Sequence, residues 1–193
     1  MSIVQHIDEL GDNIDDEAAL AELISECKNL TQEQFAQLSN SAEFEEKFTA
    51  YVDNLGQSAQ WDTALSLIQD ATMLSDDCVK NCLIIYGKWA SIDSAEDYVR
   101  DHLKSPRSYY RYDASVSTPK EGQENYTVDV YLDYGATNSF GAEVTNEDKF
   151  IVEFEIDMST RSVQFECLGD WMSAISDALE EASDGVSGKA PQF

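Results

Sequence analysis

The sequence predicts an α+β protein in which an N-terminal helical bundle is followed by an antiparallel sheet covered by a C-terminal helix. Apolar residues recur at helical spacing up to about residue 104 and alternate with polar residues after about residue 108. With 42% hydrophobic residues among 193, the chain can bury a core in each half. We therefore expect an acidic helical domain over 1–95, an α+β sheet domain over 96–183 and a flexible tail over 184–193.

Six helices are predicted in the first half from capping signals and apolar stripes. The second begins after Thr31, where Gln34 completes a capping-box pattern. Gly56 and Gly87 are expected to end the third and fifth helices, and Pro106 stops the sixth. The first and the third to sixth helices are expected over about 15–27, 41–56, 58–74, 75–87 and 94–103.

Four strands are predicted in the second half, and a hairpin turn at Met158–Thr160 joins the last two. A final helix over about Asp170–Ala182 is expected to cover one face of the sheet, which leaves the other face in water. The strands are expected over about 108–117, 125–134, 149–157 and 162–168.

The chain is strongly acidic, with 38 Asp and Glu against 12 Lys and Arg and a formal net charge of −26. Residues 1–95 carry 18 acidic and 4 basic side chains, and residues 112–193 carry 17 and 4, so the acid is not confined to a tail. Such a surface repels phosphates and anionic lipids, which argues against direct binding to nucleic acid or to a membrane. The expected partners are cations and basic proteins; the oligomeric state is left open.

The sequence indicates a cytoplasmic protein. Residues 1–17 lack the basic flank and apolar run of an export signal, and no stretch approaches the roughly 20 apolar residues that span a bilayer. The four cysteines are too few and too dispersed for a disulfide framework.

Nothing in the sequence resembles a common catalytic motif, so we predict no enzyme activity, no metal and no cofactor. His6 and His102 are better explained as structural or surface histidines than as proton shuttles. Cys78 and Cys82 stand four apart and could ligate a metal, but they share a stripe with core residues and are better explained as buried cysteines. A carboxylate-based or metal-assisted enzyme stays open as an alternative that needs converging acids.

Four basic residues cluster beside three tyrosines: Arg100, Lys104, Arg107 and Arg111. Basic residues interleaved with aromatics can bind single-stranded nucleic acid. The overall negative field favours another interpretation, in which these cations form internal salt bridges or attach to the acidic half.

Carboxylates occupy alternate positions of the predicted strands, about 6.6 Å apart, which is similar to the separation of phosphates along a nucleic-acid strand. A row of this kind on a rigid sheet can present to a basic groove the charges that the groove accepts. The candidate partner-binding residues are Asp129, Asp133, Glu153, Glu155, Asp157 and Glu166, followed by Glu43, Glu45 and Glu46 on the third helix.

Two motifs of the second half stand out: a predicted helix that ends in Leu-Lys-Ser-Pro at residues 103–106, and an Asn-Ser-Phe-Gly-Ala loop at residues 138–142. With these motifs, residues 96–168 resemble a small α+β domain of uncharacterised bacterial and phage proteins. The resemblance implies a fold, with no activity attached to it.

By composition, the chain also resembles the small acidic DNA-mimic proteins of phages that act against restriction and CRISPR systems. That resemblance implies an inhibitor that blocks the DNA- or RNA-binding groove of a host defence nuclease or a CRISPR surveillance complex. The first alternative is an immunity protein that neutralises a basic toxin nuclease. The second is a generic or halophilic acidic protein without mimicry, although a small domain needs only about 2–8 net charges for solubility.

Overall fold

A computed structural model of the chain describes residues 24–25, 27–38, 41–103, 105–137 and 142–170. It confirms an α+β protein in which helices precede a five-stranded antiparallel sheet. The helices are α1 (Gln32–Ala36), α2 (Ser41–Gln57), α3 (Trp61–Asp70) and α4 (Asp76–His102), followed by a 3-10 turn at Pro106–Ser108. The strands are β1 (Tyr110–Val116), β2 (Lys120–Glu121), β3 (Tyr126–Thr137), β4 (Glu143–Asp157) and β5 (Ser162–Asp170).

The chain divides into two compact units. A helical unit contains the described residues up to Ala90 together with Glu155–Gln164, and a sheet unit contains Ser91–Phe154 with the described residues from Phe165 onward. The predicted covering helix over 170–182, the tail over 184–193 and most of the first predicted helix lie outside the described residues.

The helical unit is held by apolar stripes of the kind that the sequence predicts. The capping box at Thr31 is confirmed, because Gln34 and Thr31 exchange side-chain and backbone hydrogen bonds. Phe35 packs edge-on against Phe44, with ring centroids 5.4 Å apart. Phe44 and Phe48, together with Val52 one turn further along, form the buried stripe of α2.

Gly56 and Gly87 do not end helices as predicted. Helix α2 includes Gly56, and a Cβ atom at that position would collide with the Trp89 ring, so the glycine permits close packing. Helix α4 continues through Gly87, so the fifth and sixth predicted helices are one helix. The cost of a mid-helix glycine, about 1 kcal/mol, is offset by tertiary packing, because Cys82, Leu83 and other flanking residues are buried.

Arg161, in the turn between β4 and β5, bonds that turn to α3 within the helical unit. Its Nη1 donates to the carbonyl oxygens of Ile68 and Ala71, at 2.9 and 2.8 Å. These carbonyls belong to the C-terminal end of α3, so the guanidinium satisfies groups that a helix end leaves unpaired. The turn lies at Met158–Arg161, which confirms the predicted hairpin.

The sheet has the strand order β1-β3-β4-β5, with the short β2 also pairing with β3. Alternate β3 residues from Tyr126 to Ala136 are buried, as are Phe150, Val152 and Phe154 of β4; we call this the buried face. The second half of α4 contributes to its cover, since Tyr98 contacts Phe150. The opposite side is the open face, and its residues on β3 are Thr127, Asp129, Tyr131 and Asp133.

Tyr134 on the buried face makes stability depend on pH. Burial raises the pKa of Tyr134, and the hydrogen bond from its hydroxyl to Asp148 at 2.8 Å raises that pKa further. An unfolded tyrosine ionises near pH 10, whereas the folded one keeps its proton to higher pH, so the folded state binds more protons above that point. We expect the free energy of unfolding to fall as pH rises beyond about 10, and denaturant titrations across alkaline pH measure this. A Tyr134→Phe protein that falls equally steeply would contradict the assignment.

Candidate acidic interface

Three carboxylates lie directly opposite one another across three strands of the open face. Asp113 of β1 pairs with Asp133 of β3, which in turn pairs with Glu147 of β4. Residues in such positions point to the same side of a sheet, with Cβ atoms about 5 Å apart. We call Asp113, Asp133 and Glu147 the acidic row.

The acidic row is electrostatically uncompensated. Within the part of the chain that the structure describes, no Lys, Arg or His forms an ion pair with any of its three members. Oδ1 of Asp133 is buried and has no hydrogen-bond partner among those residues. Like charges directly opposite one another destabilise a sheet, so the row costs folding free energy in the isolated protein.

Asp129, a predicted binding residue on the open face, pairs with two lysines. Lys149 Nζ lies 3.2 Å from Asp129 Oδ1, and Lys120 Nζ lies 3.9 Å from Oδ2. Both lysines therefore partly neutralise Asp129, two residues away from Asp133 along β3. Asp129 is therefore a compensated carboxylate, unlike the three members of the acidic row beside it.

Exposed tyrosine rings lie on both sides of the acidic row. Tyr131, two residues before Asp133, is 46% exposed. Two residues after Asp133, Gly135 has the Tyr110 ring above it, where a Cβ atom would lie 2.5 Å from Tyr110 Cζ. Tyr110 is 39% and Tyr112 51% exposed. Large exposed aromatics on one face are typical of interaction surfaces.

A shared hydrogen-bond network orients the two tyrosines of β1. The hydroxyls of Tyr110 and Tyr112 are 2.6 Å apart, and both donate to Oε1 of Glu143, from Tyr112 over 3.0 Å. Their rings meet edge to face, with centroids 4.9 Å apart. The arrangement fixes the rings while leaving them accessible.

Of the other candidates in the sheet unit, Glu153 lies on the open face opposite Thr127 and accepts a hydrogen bond from Asn125. Glu166 is exposed on β5. Both remain candidates for partner binding, although neither belongs to the acidic row.

Glu155 and Asp157 follow Glu153 at alternate positions of β4, as predicted, and both are exposed. Asp157 has a structural role in the turn. Its Oδ1 accepts hydrogen bonds from the Ser159 hydroxyl at 2.6 Å, the Ser159 backbone N–H at 2.8 Å and the Thr160 backbone N–H at 3.3 Å. The hydrogen bonds from Ser159 and Thr160 lower the pKa of Asp157 to about 2.

The three glutamates of α2 differ in their environments. Glu43 pairs with Lys47 at 2.8 Å. Glu45 accepts hydrogen bonds from the Ser75 backbone N–H and hydroxyl, at 2.7 and 3.0 Å, and so supports the start of α4. Glu46 is exposed. Glu45 therefore has a clear structural role, and whether any of the three binds a partner stays a prediction.

The basic cluster forms an internal network, in agreement with the salt-bridge interpretation. Glu96, only 6% exposed, accepts from Arg100 at 2.7 Å and lies 2.9 Å from Nη1 of Arg111. The Arg100 guanidinium also lies over the Tyr109 ring, 4.7 Å from its centroid. Arg107 is exposed, and Lys104 lies outside the described residues. Two of the four predicted cations are thus held within the sheet unit.

Cys78 and Cys82 are free and buried in the helical core, in agreement with the structural interpretation. Thr49 Oγ1 lies 3.7 Å from Cys78 Sγ and 3.6 Å from Cys82 Sγ. The described residues contain no group of three or more His, Cys, Asp or Glu side chains arranged to hold a metal ion. His102 stacks on Tyr98 and bonds its carbonyl oxygen through Nδ1 at 2.7 Å.

Sequence reasoning missed Asp113, Glu147 and the two tyrosines of β1. The polarity of the two acids could be read from the sequence, but their alignment with Asp133 depends on strand register. A register shift between Arg111 and Asp113 places Asp113 opposite Asp133.

Comparisons of the chain with protein-family models, curated proteins and solved structures found no match. Among the described residues, every helix is too short or too polar to cross a membrane.

Proposed function

We propose that this protein is a non-enzymatic inhibitor that presents carboxylates in place of nucleic-acid phosphates and blocks the DNA- or RNA-binding groove of a basic protein. The target class is a host defence nuclease or a CRISPR surveillance complex, which would place the protein in the host cytoplasm. The inhibitor needs no cofactor, and it does not itself bind nucleic acid.

The observation that carries the proposal is the uncompensated acidic row on the open face. Repulsion between opposed carboxylates is unfavourable in the free protein, and cations from a partner would relieve it. Asp133 adds a buried oxygen that lacks a partner among the described residues, and burying such an atom without a hydrogen bond is costly. A bound Lys or Arg would relieve the repulsion between the three carboxylates.

The mechanism is competition for the cations that normally hold phosphates. Lys and Arg side chains of the target groove would pair with Asp113, Asp133 and Glu147, while exposed tyrosines supply apolar contact area. The negative field of the whole chain, with net charge −26, would steer the basic groove toward the inhibitor and speed association.

Affinity capture from a bacterial lysate, followed by elution with duplex DNA, tests the proposal. We expect the immobilised protein to retain a nucleic-acid-binding protein, DNA to displace it, and the purified pair to dissociate as salt rises. Retention of the partner despite excess DNA, or an affinity that is flat between low and high salt, would contradict mimicry.

The compactness of the acidic row favours one second candidate, an immunity protein that plugs the active site of a small toxin nuclease. Such a protein needs a single patch, whereas a mimic of a long polymer uses acids over an extended surface. Neutralising Glu153 and Glu166 separates the two, because it weakens binding by a polymer mimic and leaves binding through the acidic row unchanged.

A further inference from the structure

We infer that the acidic row and its flanking tyrosines form a slot that selects arginine over lysine in the basic partner. The inference rests on the proposed function and specifies the chemistry of the group that the open face receives. The slot consists of Asp113, Asp133, Glu147, Tyr110 and Tyr131.

The placement of the five side chains supports a slot rather than a diffuse acidic patch. Along β3, Tyr131 precedes Asp133 by two residues, and the Tyr110 ring covers Gly135, two residues after it. The strand rise puts these two positions about 7 Å on either side of Asp133. Across the strands, Asp113 and Glu147 flank the same carboxylate. Asp133 therefore lies between aromatic rings in one direction and between acids in the other.

This chemistry fits a guanidinium better than an ammonium group. A guanidinium is planar, donates hydrogen bonds along its edge to two carboxylates at once and stacks on aromatic faces. It is also more weakly hydrated than an ammonium, so less hydration is lost when it enters. A lysine ammonium is a compact, strongly hydrated charge without a planar edge, so it would gain less from the same set of side chains.

The sheet unit already contains an internal example of the same combination. Arg100 donates to Glu96 at 2.7 Å while its guanidinium lies over Tyr109, 4.7 Å from the ring centroid. By comparison, Lys149 Nζ lies 5.7 Å from the Tyr131 centroid and 3.2 Å from Asp129. Within the sheet unit both cations pair with an acid, but the guanidinium lies closer to its ring, whereas the Lys149 ammonium lies near the roughly 6 Å limit of a cation–π contact.

The test compares oligoarginine and oligolysine peptides of equal length, with dissociation constants measured by calorimetry on the full chain. We expect the native protein to bind oligoarginine about tenfold more tightly. The variant Tyr110→Leu/Tyr131→Leu should lose this preference and keep its affinity for oligolysine within about twofold. The conservative variant Tyr110→Phe/Tyr131→Phe should retain the preference, because the rings remain. Circular dichroism checks that each variant is folded.

Equal affinities of the native protein for the two peptides, or an arginine preference that survives removal of both rings, would overturn the slot. The variant Asp113→Asn/Asp133→Asn/Glu147→Gln tests the underlying surface separately. If this variant binds both peptides more weakly while the native protein shows no preference between them, the acidic interface is supported and the arginine slot is wrong. If this variant binds both peptides as tightly as the native protein does, the acidic interface itself is wrong.

Discussion

Neutralising the acidic row should make the protein more stable and abolish partner binding at the same time. The variant Asp113→Asn/Asp133→Asn/Glu147→Gln keeps the size and shape of each side chain. It removes the repulsion between Asp113 and Asp133 and between Asp133 and Glu147, which are paired directly in the sheet. Opposed like charges cost roughly 0.2–1 kcal/mol per pair, so we expect a gain of about 1 kcal/mol in the free energy of unfolding.

The expected loss of binding is larger than the gain in stability. Removing one member of a desolvated charge pair at an interface costs about 2–5 kcal/mol, and three members change together here. We therefore expect affinity for the captured partner to fall at least about 100-fold. Denaturant titration and calorimetry measure the two effects on the same preparation.

A matched control removes the same amount of charge elsewhere. Asp62, Asp70 and Glu124 are exposed, and Asp62 and Asp70 lie in the first and last turns of α3, where their effects on the helix dipole oppose each other. The variant Asp62→Asn/Asp70→Asn/Glu124→Gln should change stability and affinity little. A row variant that is destabilised would show that the row has a structural role. A row variant that binds no worse than this control would show that the row is not the binding surface.

The sequence predicts the alternation of the strands better than their alignment. The period-two pattern from Tyr126 to Tyr134 places alternate side chains on opposite faces, and the structure confirms this. Which residue of β1 faces Asp133 depends on a register shift after Arg111, which no local pattern encodes. For this reason, the sequence predicts rows of carboxylates along single strands, whereas the acidic row in the structure runs across three neighbouring strands.

Helix ends show a similar division between local and tertiary causes. The capping box at Thr31 uses only residues that are near in sequence, so it could be predicted. Gly56 and Gly87 look like helix ends locally, but Gly56 makes room for Trp89, which lies 33 positions away. Arg161 likewise bonds carbonyls about 90 residues earlier in the chain. Contacts of this range outweigh propensities of about 1 kcal/mol.

Removing the arginines that pair with Glu96 should produce the largest loss of stability in the sheet unit. In Arg100→Met/Arg111→Met, the Glu96 carboxylate, 6% exposed, loses the two guanidinium groups that lie at 2.7 and 2.9 Å. A buried charge left without partners costs about 3–5 kcal/mol. That is a large fraction of the 5–15 kcal/mol that stabilises a typical domain. The free energy of unfolding, measured in urea, reports the loss.

Adding Glu96→Met to the same variant should restore most of the lost stability. Replacing a whole buried ion network with apolar residues of similar volume is often neutral or stabilising, whereas breaking it from one side is not. The triple variant also separates two roles of these arginines. If they serve only to compensate Glu96, partner binding by the triple variant equals that of the native protein, because the acidic row is unchanged. If the triple variant folds and loses the partner, the arginines themselves belong to the interface, and the assignment of the basic cluster as an internal network is wrong.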